Sequence, residues 1–232
     1  MKLGLAGDIH GNAGALRAML DVATRENIEK LLITGDLVGY YFSPLEVVEL
    51  LDEWDVEVAC GNHEVMLKIA RNDPKYLVDV DAKYGSGLRV ALEQLSVERL
   101  DDLCRLQHPL RLEIDGIRIL LCHGSPWDLD QYIYPDAKDE SLAMLDGSGY
   151  DLIVTGHTHY PMDLIFGGTR VVNPGSVGQP RNRKPGAHWA IFDTETRSIE
   201  FRCEKYDASE LIRECNARHP NLPYLAKVLE RT

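Results

Sequence analysis

Short apolar runs recur along the chain, and each ends abruptly in glycine and polar residues. They are KLGLAGD (2–8), KLLITGD (30–36), VEVACGN (56–62), RILLCHG (118–124), DLIVTGH (151–157) and TRVVNPG (169–175). Each has the length and the leucine-rich or β-branched content of a strand. Between the early runs the period changes to a helical one. In AGALRAMLDVATRE (13–26), Leu16, Met19, Leu20 and Val22 recur at roughly helical spacing. Residues 43–53 open with SPLE, which reads as a capping box with proline at the first helical position. The order β-α-β-α-β predicts a largely parallel sheet covered by helices in the first third.

From about 64 to 108 the pattern is helical and more polar, broken by Gly85 and Gly87, and it reads as an inserted helical cap. Two hairpins follow. LRLEIDGIRILLC (110–122) turns at Asp-Gly, a strong short hairpin signal, and 188–206 turns around Thr194 to Arg197. Residues 207–219 open with a D-x-x-E box, and a short segment near 221–231 closes the chain. Antiparallel strands after βαβ units predict an α/β fold of two packed mixed β-sheets with helices outside. No internal repeat or linker interrupts 1–232, so one domain is expected, carrying the cap-like segment.

Length and composition narrow the class. The chain has 232 residues, enough for a sizeable core. No basic segment followed by an apolar core opens it, so no signal peptide is expected. No stretch approaches the ~18 apolar residues of a membrane span. Five cysteines, none in a C-x-x-C pair, suggest reduced thiols and a cytoplasmic protein. The net charge of −12 makes a polyanionic nucleic acid a poor partner, because such binding rests on Lys and Arg contacts to phosphate. A small anionic substrate stays open if something reverses the sign locally.

The polar clusters share one position, the carboxyl end of each run, where ligands bind in open α/β sheets. Asp8, Asp36, Asn62 and five of the eight histidines lie there: His10, His63, His123, His157 and His159. Asp8 and His10 are two residues apart, as are His157 and His159, so each pair would point to one side of an extended chain and grip a metal as a pincer. Oxygen and nitrogen donors without thiolate suit Mn²⁺, Fe, Co²⁺, Ni²⁺ or Zn²⁺. The donors are too many for one tetrahedral ion and about right for two.

In order, D-x-H (Asp8, His10), GD (Asp36), GNHE (Asn62, His63, Glu64), His123 and GHTH (His157, His159) resemble the calcineurin-like metallophosphoesterase superfamily. NPGSVG (173–178) is similar to its smaller bacterial and archaeal phosphodiesterase branch. The resemblance implies a four-layer α-β-β-α sandwich. It implies a first metal on Asp8, His10 and His159, a second on Asn62, His123 and His157, and Asp36 bridging both. His63 would face the substrate. Two divalent ions, manganese first among them, would lower the pKa of a bridging water. The implied reaction is phosphoester hydrolysis by that hydroxide, on a phosphodiester for preference, with a protonated His63 assisting the leaving group or stabilising charge. Asn12, Asn62 and Arg181 of the basic run QPRNRKPG are further candidates for substrate contact, and Asn12 has helix capping as its other reading. Tyr40 and Tyr41 would line the pocket or pack. A phosphomonoesterase, a protein phosphatase or a dinucleoside polyphosphate hydrolase is the alternative enzyme. A metal-binding scaffold, like the retromer subunit of related fold, is the alternative class. An oligomer stays open.

Overall fold

All six apolar runs form strands in the computed structural model of the protein, which describes residues 1–137, 145 and 148–232. They are β1 (Lys2–Ala6), β2 (Lys30–Ile33), β3 (Val56–Val58), β5 (Ile117–Leu121), β6 (Leu152–Val154) and β8 (Thr169–Asn173). Both expected hairpins are present. β4 (Leu110–Ile114) pairs antiparallel with β5, and β9 (Ala187–Asp193) with β10 (Ile199–Glu204). One strand has no counterpart among the sequence expectations: β7 (Met162–Phe166) pairs with β8 across Gly167-Gly168. That diglycine is a two-residue hairpin signal, so the information was present in the chain.

The strands form two five-stranded sheets, ordered β10-β9-β1-β2-β3 and β4-β5-β6-β8-β7. β1 is parallel to β2, and β2 to β3, as the βαβ pattern predicts. β9 then joins β1 antiparallel and makes the first sheet mixed. In the second sheet β5, β6 and β8 are parallel, with antiparallel strands at both edges.

Strand alternation builds the layers. Leu3, Leu5, Leu32, Ala190 and Phe192 of the first sheet meet Ile117, Ile119, Leu121, Leu152, Val154 and Val172 of the second in a dry seam. The intervening residues Leu31, Ile33, Trp189 and Ile191 face outward under helices α1 (Ala13–Arg25) and α2 (Pro44–Asp52) and the later helical segment. Leu120, Ile153 and Val171 point away from the seam on the other side and pack with Ile133 and Met162.

The expected helical segment contains α3 (Asn62–Ala70), α4 (Pro74–Tyr84), α5 (Gly87–Gln94) and α6 (Val97–Arg105). Two capping expectations change. Ser43 precedes α2 but makes no side-chain cap bond; its carbonyl receives Val47 N instead. Asp207 accepts from Ser209 N, so α7 (Ser209–Arg218) starts later than the D-x-x-E spacing implied. The last helix is α8 (Tyr224–Glu230). No helix among the described residues is long and apolar enough to cross a membrane. All five cysteines are free, and Cys60, Cys122 and Cys215 are buried.

The seam supplies the rigid base for the strand ends. Leu121→Ala, at a fully buried position, is expected to cost about 2–5 kcal/mol. That lowers the midpoint by about 5–15 °C in thermal unfolding followed by circular dichroism. A shift of under about 2 °C would mean the seam is not the main core.

Candidate metal centre

Both sheets release their parallel strands toward one edge, and the polar residues converge there. The backbone at these positions is unusual. Asp8, His10, Asp36, His157 and His159 have φ values of 50°, 55°, 56°, 65° and 62°. They account for half of the ten non-glycine residues with positive φ among the described residues. A left-handed conformation costs an L-residue energy and concentrates at functional sites. It also corrects the pincer geometry expected for extended chain. β1 stops at Ala6 and β6 at Val154, so the ligand candidates lie in tight loops beyond them. Asp8 and His10 still converge, but His157 and His159 separate.

One group comprises Asp8, His10 and His159. Asp8 Oδ1 lies 3.3 Å from His159 Nε2 and 3.9 Å from His10 Nε2, and the two imidazole nitrogens are 3.2 Å apart. The other gathers around His123 Nε2. Asn62 Oδ1 is 2.9 Å away, His157 Nδ1 3.0 Å and Asp36 Oδ2 3.4 Å. Asp36 Oδ2 is also 3.7 Å from His10 Nε2, so this one oxygen faces both groups. His63 is drawn in as well, within ligand spacing of His10 and Asp36.

These residues fit divalent cations. His10, His123 and His159 each turn Nδ1 toward a carbonyl, of Val38, Thr34 and Gln179 respectively. An imidazole donating there presents a lone pair at Nε2, the usual arrangement of a metal-binding histidine. Hence the 3.2 Å approach of His10 to His159, and the 2.9 Å approach of Asn62 Oδ1 to His123, set acceptor against acceptor. Asp8 Oδ1 and His157 Nε2 are buried without a hydrogen bond. Donors about 2.1 Å from a shared ion stand roughly 3.0–3.4 Å from one another, close to the spacings here.

Burial holds the imidazoles neutral. It pushes His123 and His63 down to about 3, with neighbouring charges adding to the effect at His63. Burial lowers His10, His157 and His159 as well. The carboxyls diverge. Burial raises Asp36 well above its usual range, helped by Glu64 and Asp8. Burial would raise Asp8 too, yet His159 brings it below the usual range. The expectation of a protonated His63 is therefore not met in the free protein. Its neutral ring still carries one N–H. Gly39 gives that ring room, since a Cβ there would collide with His63 Nδ1.

Residues 1–197 match the model of the calcineurin-like phosphoesterase superfamily domain. The chain belongs to that superfamily. With it, the protein is a metal-dependent hydrolase of phosphate esters. The metallophosphoesterase of Sphaerobacter thermophilus is similar over 100% of this chain and 99% of its own, at 26% identity and a TM-score of 0.76. The hypothetical protein PH1004 of Pyrococcus horikoshii OT3 superposes with a TM-score of 0.86 at 26% identity, covering 99% and 98% of the two chains. The phosphodiesterase YfcE of Escherichia coli K12 is 24% identical over 212 residues, 86% of this chain and 91% of that one.

Several residues act on the phosphoesterase's centre from behind. Glu64 was legible only as the end of GNHE. It is 1% exposed, and its carboxylate accepts from Asp36 N (2.8 Å), Leu37 N (2.8 Å) and Gly61 N (2.9 Å). It thus ties the loop after β2 to the start of α3, while Asp36 Oδ1 accepts from His63 N at 2.8 Å. The NPGSVG loop braces the other side. Ser176 Oγ donates to Asp8 O at 2.7 Å, and Asn173 Nδ2 donates to Gly156 O at 2.7 Å and to Thr158 Oγ1 at 3.0 Å.

The remaining candidates divide. Asn12 caps α1 through Ala15 N, and its amide nitrogen donates to Gly178 O and Tyr206 Oη, so no donor is left for a phosphate. Arg181 stands at the rim, 3.1 Å from Gln179 Oε1, and lines a cavity with Tyr40, Tyr224, Lys227 and Arg231. Tyr40 packs edge-on against His10 at 4.6 Å, whereas Tyr41 is fully buried and donates to Leu225 O. His108, His188 and His219 lie in none of the ligand groups.

Removing the Glu64 tie strands three buried N–H groups. Glu64→Ala is expected to destabilise the fold by about 3–5 kcal/mol, and Glu64→Gln by less, because one amide oxygen remains to accept. Both variants should bind Mn²⁺ more weakly in a calorimetric titration, as Asp36 and Asn62 lose their common anchor. Unchanged stability and Mn²⁺ affinity in Glu64→Ala would refute the role.

Proposed function

We propose that the phosphoesterase hydrolyses phosphodiesters with two divalent ions, Mn²⁺ first among them. Asp8, His10 and His159 would hold one ion, Asn62, His123 and His157 the other, and Asp36 both. The observation that carries this reading is Asp36 Oδ2, 3.7 Å from His10 Nε2 in one group and 3.4 Å from His123 Nε2 in the other. A carboxylate oxygen has lone pairs enough to serve two cations. The likeness to a named phosphodiesterase of Escherichia coli supports the diester preference.

When bound, such ions supply Lewis acidity toward water and phosphate oxygens and offset developing negative charge. The chain's own residues supply orientation. Carbonyl bonds at Nδ1 fix the His10, His123 and His159 rings. Glu64 and Ser176 hold the loops that carry Asp36 and Asp8. His63, kept neutral by burial, donates a hydrogen bond to the phosphate or the departing oxygen and stabilises charge there. Arg181 extends a fixed cation from the rim to the substrate's phosphate. In a body of net charge −12, this cation and the ions supply the local positive potential. The 62–105 helices bear on access through Tyr84 of α4, whose ring lies 5.9 Å from that of His63.

The test is metal content, followed by hydrolysis of bis(p-nitrophenyl) phosphate and p-nitrophenyl phosphate with and without Mn²⁺. Two ions per chain and Mn²⁺-dependent turnover, faster on the diester, are expected. No metal and no turnover after reconstitution would leave a scaffold. Faster monoester hydrolysis would overturn the diester preference.

His63→Ala should keep both ions and lose about 10²-fold or more in kcat. Full turnover in the metal-replete variant would remove His63 from the reaction.

A further inference from the structure

The wall of the metal centre formed by Tyr40 and Gln179 has a second side. The Tyr40 ring packs against His10 at 4.6 Å and His63 at 4.8 Å, and its hydroxyl lies 3.4 Å from Arg181 Nη2. Gln179 spans the same boundary. Its carbonyl accepts from His159 Nδ1 at 2.6 Å, and its Oε1 accepts from Arg181 Nη2 at 3.1 Å. Tyr40 holds its place with a φ of 54°. That conformation is an outlier for a bulky side chain, and such strain concentrates at functional sites.

Beyond this wall lies a cavity of about 600 Å³, bounded by Arg181, Tyr224, Lys227, Val228 and Arg231. The volume suits a small ligand. Its far side is one helix face. Tyr224, Lys227, Val228 and Arg231 follow the i, i+3, i+4, i+7 spacing of a single face of α8 and its C-terminal cap. The rest of the helix is anchored, with Leu225, Ala226 and Leu229 buried in one cluster with Tyr41, Phe42 and Cys215. Two bonds hold it to the rim. Tyr224 Oη donates to Lys83 O at 2.8 Å, and Arg231 Nη2 donates to Arg181 O at 2.8 Å.

Three cations thus meet at one cavity in a chain of net charge −12. Lys227 and Arg231 are four residues apart on one helix face, where like charges repel, and Arg181 adds a third positive charge. A bound anion turns that repulsion into attraction. Two guanidiniums and an ammonium match the charge and the several acceptor oxygens of a phosphate better than they match a single carboxylate. The hydrolytic reading uses neither Lys227 nor Arg231. Both also lie beyond residue 197, where the match to the superfamily ends.

We propose that Arg181, Lys227 and Arg231 form a second anion subsite, which binds a phosphate on the substrate's ester arm while the scissile phosphate sits at the metal centre across Tyr40. The substrate class is then a phosphoester that carries a second phosphate. The proposal rests on the phosphoesterase reading for the position of the scissile phosphate and adds this class to it.

Non-hydrolysable phosphonates test this by calorimetry on the Mn²⁺-loaded protein, freed of unbound metal. Butane-1,4-diphosphonate and hexane-1,6-diphosphonate carry a second phosphoryl group, butylphosphonate and hexylphosphonate lack it, and 5-phosphonopentanoate has a carboxylate in its place. At least one diphosphonate is expected to bind about 10-fold or more tightly than the alkylphosphonate of the same arm. Lys227→Gln/Arg231→Gln should cut that ratio to about 2-fold or less by weakening the diphosphonate. Lys227→Arg should keep it, because the charge remains. Equal affinities in the wild type, or a ratio that survives in the double variant, would overturn the subsite. If Mn²⁺-dependent turnover of bis(p-nitrophenyl) phosphate persists in that case, the hydrolase reading stands without it. A phosphonopentanoate that binds as tightly as the butane diphosphonate would overturn the assignment to phosphate. No Mn²⁺-dependent binding of any probe would overturn the subsite together with the centre. Tight diphosphonate binding that depends on Lys227 and Arg231, without turnover of any ester, would defeat the hydrolase reading and leave the subsite standing.

Discussion

Acceptor atoms crowd at the edge of the two sheets, and the rest of the structure is arranged around that crowding. Three imidazoles have their donor nitrogens turned to carbonyls, so their lone pairs meet one another, Asn62 and two carboxylates in a space nearly closed to solvent. Without cations this arrangement is unfavourable, since buried charge and unpaired acceptors are both costly. Divalent ions invert the sign of every one of those interactions. The destabilised cluster is thus the form of the site that is prepared for metal.

Holding the cluster requires rigidity from elsewhere. The inter-sheet seam fixes the strand ends, and the loops beyond them take left-handed turns at five of the ligand candidates. Glu64 and the NPGSVG loop then brace those turns from opposite sides with buried hydrogen bonds. The strain is local and the braces come from α3 and from the loop after β8, so the centre depends on contacts between segments distant in sequence. Neutral imidazoles follow from the same burial, and their lone pairs together with the carboxylates are what a cation would meet.

The mouth has two characters. On one side Tyr40, Tyr84 and Tyr224 close against one another beside Arg181. On the other, Tyr132 and Tyr134 stack on each other, and Tyr132 lies beside His157. With phosphate at the metal groups, as proposed, whatever hangs from it would meet these walls.

Much of this was legible in the chain. The apolar runs fixed the six strands, two hairpins and the edge where polar residues gather, because strand alternation and abrupt polar ends are local signals. The order of D-x-H, GD, GNHE, His123 and GHTH was enough to point to the superfamily. Local reading failed where three dimensions intervene. Spacing alone paired Asp8–His10 and His157–His159 as equivalent pincers, while the family resemblance implied separate ions for His157 and His159; left-handed turns place those two rings in different groups. It left Asn12 with two roles, and only the contacts with Gly178 and Tyr206 show its donors already engaged. It left His63 as a proton donor or a stabiliser of charge, and burial, which no short motif encodes, lowers its basicity and favours the neutral ring. The sequence by itself determined the candidate donors and the strand ends that carry them. The tertiary structure decided which donor faces which, what is protonated and what stays open at the mouth, because those depend on distances between segments that the chain brings together only on folding.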